Sequence, residues 1–229
     1  MGPAQINLSG GRDLKALRIR ARLRNGYVSR DPWTPTIDGI LAAVVMRRRL
    51  GDDYAVSAAQ PSKLGPVTGL PLEVVRHGDL WWYAASSPRP ISEAARERRH
   101  FHRRFDDQHE RYLADGIKRV MTSAGPYKAT RLHDTRVICR GIEWHVVGDM
   151  AQIRALLDDV DQVGGKRDIG YGEVVEWLID DAGVADIARC HRPLPVAYAQ
   201  EHGCTGIAMP WGIVPPLRIQ QVDCIMPNF

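Results

Sequence analysis

Leu17-Arg18-Ile19-Arg20-Ala21-Arg22-Leu23-Arg24 alternates apolar and basic residues without interruption. A period of two belongs to a β-strand, here with one buried face and one face covered by arginine. Asn25-Gly26 breaks the run, and Asp31-Pro32-Trp33-Thr34-Pro35 reads as an irregular loop. Thr36 stands as an N-cap, with Asp38 in the first turn of a helix that reaches about Leu50. Ile37, Ile40, Leu41, Val44 and Val45 fall on one face of that helix. Arg47, Arg48 and Arg49 complement its C-terminal dipole, and Gly51 ends it.

Further along, Leu72–Val75 and Leu80–Ala84 read as two strands around His77-Gly78-Asp79. Trp81 and Trp82, as neighbours on a strand, are expected to enter the core from opposite sides. Residues 86–135 differ in character: they open with Ser-Ser-Pro-Arg-Pro and carry Arg96, Arg98, Arg99, Arg103 and Arg104. This stretch reads as a partly helical insertion whose acids, Glu97, Asp106, Asp107 and Glu110, offset much of its charge. Strands are expected at Arg136–Cys139 and Ile142–Val147, then a helix from about Asp149 to Val160, then a strand over Glu173–Ile179. Beyond Asp180 the chain is rich in Pro and Gly and is expected to be mostly irregular.

This order suits an α+β fold: an antiparallel sheet with helices on one face, in a split βαβ arrangement. The divisions are 1–85 and 136–180 for the two parts of the domain, 86–135 for the insertion and 181–229 for the tail.

Composition narrows the function without fixing it. The chain has 229 residues, a formal charge of +4 and a sequence pI near 9.0, which permits an anionic partner. Arginine far outnumbers lysine, and the planar guanidinium suits phosphate contacts and stacking on bases. Four cysteines at 139, 190, 204 and 224, with no CxxC pair, fit a reducing cytoplasm better than a disulfide framework. Cys190, His191, His202 and Cys204 match no closed zinc spacing, and no metal or other cofactor is expected. No stretch is apolar enough to cross a bilayer, so no membrane partner is expected.

The most specific feature is Gly164-Gly165-Lys166-Arg167-Asp168-Ile169-Gly170-Tyr171-Gly172. Glycines permit close backbone approach and the positive φ angles that aim successive N–H groups at one point. Lys166 and Arg167 add charge, and Tyr171 a face for stacking. The pattern is neither Walker A nor the dinucleotide fingerprint, because no GK[ST] closes it and a strand follows instead of a helix. From the residues alone, a flexible turn between helix and strand remains as good a reading as a phosphate cradle.

A helix followed by G-G-K-R-x-x-G-Y-G and a strand resembles the glycine-rich loop of the repeat-associated mysterious proteins, the RAMP superfamily of CRISPR systems. Thr36-Ile37-Asp38-Gly39-Ile40-Leu41-Ala42 resembles the opening of the first helix in the type IV group. Together, over about Leu17 to Ile179, they most resemble the type IV Cas "five" subunit. The resemblance implies a ferredoxin-like (RRM-like) domain with a thumb-like insertion at 86–135. It implies a cytoplasmic, non-catalytic subunit that caps the 5′ handle of a guide RNA and joins backbone and large subunits, target DNA being a further possible contact. It assigns Gly164, Gly165, Lys166, Arg167, Gly170, Tyr171 and Gly172 to the RNA-contacting loop, and Lys118, Arg119, Tyr127, Lys128 and Arg131 to the thumb. The arginine face of the first strand would hold phosphates, with Trp33, Tyr127 and Tyr171 stacking on bases.

Two other activities stay in view. Metal-independent cleavage of precursor guide RNA needs a general acid and base, for which His100, His102, His109, His133 and His145 are candidates. A general single-stranded RNA-binding module would need no handle sequence.

Overall fold

The computed structural model describes residues 13–51, 53–54, 65–106, 108, 120–125, 127–216 and 221–228. Strand β1, Leu14–Leu23, lies inside a four-stranded sheet with β5 (Arg89–Ile91), β8 (Gly141–Asp149) and β9 (Val174–Asp181), in the order β5-β8-β1-β9. Every neighbouring pair is antiparallel. β8 and β9 therefore run parallel to each other with β1 between them, and β1 and β5 run parallel with β8 between them. Two βαβ units thus interlock, each split by a strand of the other.

The crossovers are the two long helices. α1, Ile37–Leu50, begins where the Thr36 hydroxyl accepts the Gly39 amide. It ends at Gly51 (φ 55°), whose N–H donates to the Arg47 carbonyl. α2, Met150–Leu157, is capped by Asp149, which accepts from the Gln152 amide and, through its other oxygen, from the Gln152 side chain. The helices pack on each other, and Arg48 ties them by donating to Asp159 and to the Ala155 carbonyl. Their apolar faces meet the inner face of the sheet, where Leu17, Ile19, Ala21, Ile142, Trp144 and Ile153 are wholly buried. The alternation that defines β1 thus specifies which side the helices cover.

The insertion departs from expectation. Its arginine-rich stretch is not helical but forms β6, Ala95–Arg103, paired along its whole length with β7, Thr130–Ile138. β2, Tyr27–Ser29, completes a second sheet, β2-β7-β6. Glu97 meets Arg136 across the strands at 3.8 Å, not a partner one helical turn away. Charges that read as helical spacing also satisfy a cross-strand ladder, and the partner strand decides between them.

The expected irregular tail is also corrected. After α3 (Asp186–Cys190), β10 (Leu194–Pro195), β11 (Gly206–Gly212) and β12 (Gln221–Pro227) form a third sheet, β10-β12-β11, with α4 (Val196–Glu201) beside it. It has its own core of Leu194, Tyr198, Ala199, Ile213, Val214, Cys224 and Met226. The remaining sheet is the hairpin of β3 (Val74–His77) and β4 (Leu80–Tyr83). Its Trp82 is fully buried in the tail's core, while Trp81 packs against both cores.

Arg192 joins the parts. It is buried, donates to the carbonyls of Tyr83, Ala85 and Ile213, and faces Asp38 of α1 at 3.5 Å. Burial presses its pKa below the ordinary value, and Asp38 opposes that shift. Asp38→Ala leaves a buried charge without its counter-ion and should lower stability by about 3–5 kcal/mol in urea denaturation. An apolar double replacement at 38 and 192 should recover most of that loss. A loss below about 1 kcal/mol for Asp38→Ala would show that the pair does not hold the parts together.

Candidate nucleic-acid interface

The 164–172 loop leaves Val163, turns through a 3-10 helix at Arg167–Ile169, and returns to β9. Its neck is closed where the Val163 amide donates to the Gly172 carbonyl at 2.8 Å. Two further bonds fasten it to the start of the second sheet: Gly165 N–H to the Val28 carbonyl, and Gly172 N–H to the Gly26 carbonyl. Gly172 (φ 74°) has no room for a Cβ, which would lie 1.8 Å from the Val163 carbonyl oxygen. At Gly164 (φ 79°) a Cβ would lie 2.8 Å from the Val28 oxygen. These two glycines serve the protein's own close approach. Gly170, by contrast, faces open space.

The charged tip is built into the hairpin. Lys166, held at φ 57°, places its ammonium 3.8 Å from Asp134 of β7. Asp134 is buried and also meets Arg30 at 3.6 Å. Tyr171 lies under the Arg136 guanidinium, 5.2 Å from ring centroid to charge, and its hydroxyl accepts from Arg99. Loop and hairpin therefore set Arg30, Arg99, Arg136 and Lys166 around two acids, Asp134 and Glu97, with Arg167 exposed at the loop tip. Arg136 occupies one face of Tyr171, so base stacking is restricted to what the other leaves open.

The other sequence-derived residues lie farther out. Arg131 and Lys128 are exposed on or beside β7, with Arg131 about 17 Å along the strand from Arg136. Tyr127 is 40% exposed and meets Phe105 edge-on at 5.2 Å. Lys118, Arg119 and His109 lie outside the described residues. Trp33 is not presented for stacking: its indole donates to the Pro227 carbonyl and packs edge-on against Trp211.

The arginine face of β1 is neutralised. Arg18 and Arg20 meet Asp180, Arg22 meets Glu176 at 3.1 Å, and Arg24 meets Glu173 at 2.8 Å. Each such exposed pair adds little stability, but together they remove the free charge that a phosphate would need. His100, His102 and His133 lie on the hairpin, whereas His145 is buried on β8 against Glu143. Among the described residues no group of three or more His, Cys, Asp and Glu is placed to hold a metal ion. No helix among them is long and apolar enough to cross a membrane.

Sequence reasoning missed an open cleft of about 1010 Å³ beside the loop. Arg30, Arg47, Lys166 and Arg167 line it with Ile40 and Trp211, so it joins the N-terminal half of α1 to β11. Asp31 at its edge accepts from the Trp33 amide and the Thr34 hydroxyl, and burial pushes its carboxyl above the ordinary value. The Asp31-Pro32 turn was the one local sign of this architecture.

Comparison with protein families gives a match over residues 15–220 to the family described as CRISPR type IV associated protein Csf3. That span runs beyond Ile179 and takes in most of the C-terminal unit. Among solved structures, a chain of the type III-B Cmr-beta bound to cognate target RNA is similar at 10% identity and a TM-score of 0.37. The likeness covers 74% of this chain and 61% of that one. No curated protein matches.

Gly172→Ala should cost about 3 kcal/mol, because a clash at the neck adds to left-handed strain. Gly170→Ala meets only the strain and should cost about 1 kcal/mol. Equal costs in chemical denaturation would show that the neck does not depend on Gly172.

Proposed function

This chain belongs to the CRISPR type IV associated protein Csf3 family, and on that premise we propose that it is a non-catalytic RNA-binding subunit of a type IV CRISPR effector complex. Its task is to hold the 5′ handle of the guide RNA in the cytoplasm and to contact the backbone and large subunits of the complex. The interlocked βαβ units are read as a ferredoxin-like, RRM-like RAMP domain, and the β6–β7 hairpin as its thumb. Type IV membership and the sheet order β5-β8-β1-β9 support that reading.

The observation that carries the proposal is the junction of loop and hairpin. Arg99 and Arg136 grip Tyr171 while Lys166 shares Asp134 with Arg30. This sets a cluster of cations beside an exposed guanidinium at Arg167, where phosphate oxygens would find several donors at once. Phosphate contacts of this kind fix register, and recognition of a particular handle requires base contacts in addition. The cleft next to Lys166 and Arg167, with its apolar wall, provides room for a base.

The test is filter binding of a labelled guide RNA across a salt series. Lys166→Ala combined with Arg167→Ala should weaken binding and reduce the log–log salt slope by about 1.4, because each phosphate of a single strand that a cation neutralises adds about 0.7 to it. An unchanged slope overturns the loop assignment. The wild-type chain should bind an intact 5′ handle more tightly than a scrambled one and leave a precursor uncut. Equal binding to both would reduce it to a general RNA-binding module, and a cut precursor would make it the processing nuclease.

A further inference from the structure

The two faces of the β6–β7 hairpin have different occupants. In an antiparallel pair, directly opposed residues project to the same side, and alternate residues share a face. Glu97, Arg99, Asp134 and Arg136 share the face that grips the glycine loop. The opposite face carries Arg98 against Thr135, His100 against His133, and His102 against Arg131. Arg98, His100, His102, Arg131 and His133 are all exposed, and the rings of His100 and His133 are 6.3 Å apart. Within β6 and β7 no carboxylate shares that face.

The surroundings supply no counter-charge to this ladder among the described residues. Partial desolvation holds His100 below its ordinary pKa, and so do the nearby charges, in order, of Arg131, Arg98, His133 and His102. At the base of the hairpin Arg96 is taken up by Glu93 at 2.6 Å. At its far end Asp106 accepts the Gln108 amide. The third strand, β2, sets Ser29 opposite Thr135, and in the loop beyond it Asp31 is bonded to Trp33 and Thr34. Successive same-face residues lie about 6.6 Å apart along each strand, comparable to phosphates along an extended single strand.

We propose that this outer face is a second binding site for the phosphodiester backbone of single-stranded RNA, separate from the glycine loop, in which His100, His102 and His133 take up protons as the RNA binds. The inference rests on the reading of the chain as an RNA-binding subunit. Arg98 and Arg131 give the permanent charge. A phosphate laid along the ladder favours the imidazolium form, so binding tightens as pH falls.

The experiment is fluorescence anisotropy of a labelled single-stranded RNA with the full chain at fixed ionic strength from pH 8 to pH 5.5. Wild type should bind about fivefold more tightly at pH 5.5 than at pH 8. His100→Gln, His102→Gln and His133→Gln in one chain should abolish that dependence. Arg98→Ala with Arg131→Ala should weaken binding at every pH. Lys166→Ala with Arg167→Ala should weaken binding yet keep the pH dependence. Persistence of the pH dependence in the triple glutamine variant overturns the ladder and leaves the functional reading standing. Absence of RNA binding at any pH overturns both. Shortened RNA on a denaturing gel, lost in the triple variant, would turn the histidines from binding groups into catalysts and overturn the proposal.

Discussion

A guanidinium buried between three segments is the constraint on which the architecture turns. Arg192 has no solvent to fall back on, so its terminal nitrogens donate to the carbonyls of Tyr83, Ala85 and Ile213 and its charge faces Asp38. Those partners belong to the end of the β3–β4 hairpin, the tail and the first turn of α1. Apolar packing alone would tolerate some sliding between these units, whereas a desolvated charge accepts one arrangement only. Fixing the start of α1 also fixes Thr36 and Pro35, and Pro35 receives the indole N–H of Trp144 from the middle of the main sheet. The cleft beside the glycine loop is therefore set by a contact on the opposite side of α1.

Charge is sorted with similar economy. The acids of β9 neutralise the outer face of the main sheet, where the arginines of β1 stand in a row. Positive charge is left in excess on the hairpin and loop, away from the sheet that the sequence first pointed to. The net charge of +4 is thus a poor guide, since it averages a neutralised face with a strongly basic projection.

How much of this the sequence discloses depends on the distance over which each signal acts. β1, α1 with its Thr36 cap and Gly51 stop, and α2 under Asp149 were legible because alternation, helical period and capping are local. The glycine loop was legible as a motif, yet Gly172 and Gly164 proved to serve close approach to Val163 at the neck and to Val28 in another segment. The β6 error has the same origin: arginines interleaved with acids fit helix and strand alike, and the deciding partner is β7, some thirty residues on. The ion pairs of β1 rely on residues around position 180, so its arginine face looked free. In the tail, Val222, Cys224 and Met226 do alternate, but short strands separated by Pro and Gly gave too little pattern to read against the irregular alternative.

The central position of β1 sets the order in which the molecule can be completed. Both of its neighbours arrive late: Leu14 pairs with Asp149 on one side and Leu17 with Asp181 on the other. At synthesis rates of about 5–20 residues per second, the strand waits on the order of ten seconds before either partner exists. A bare apolar strand in that interval would be a template for aggregation. Arginine at every second position gives it mutual repulsion between nascent chains, and the same residues then become the anchors for Asp180, Glu176 and Glu173 once the ribosome has supplied them.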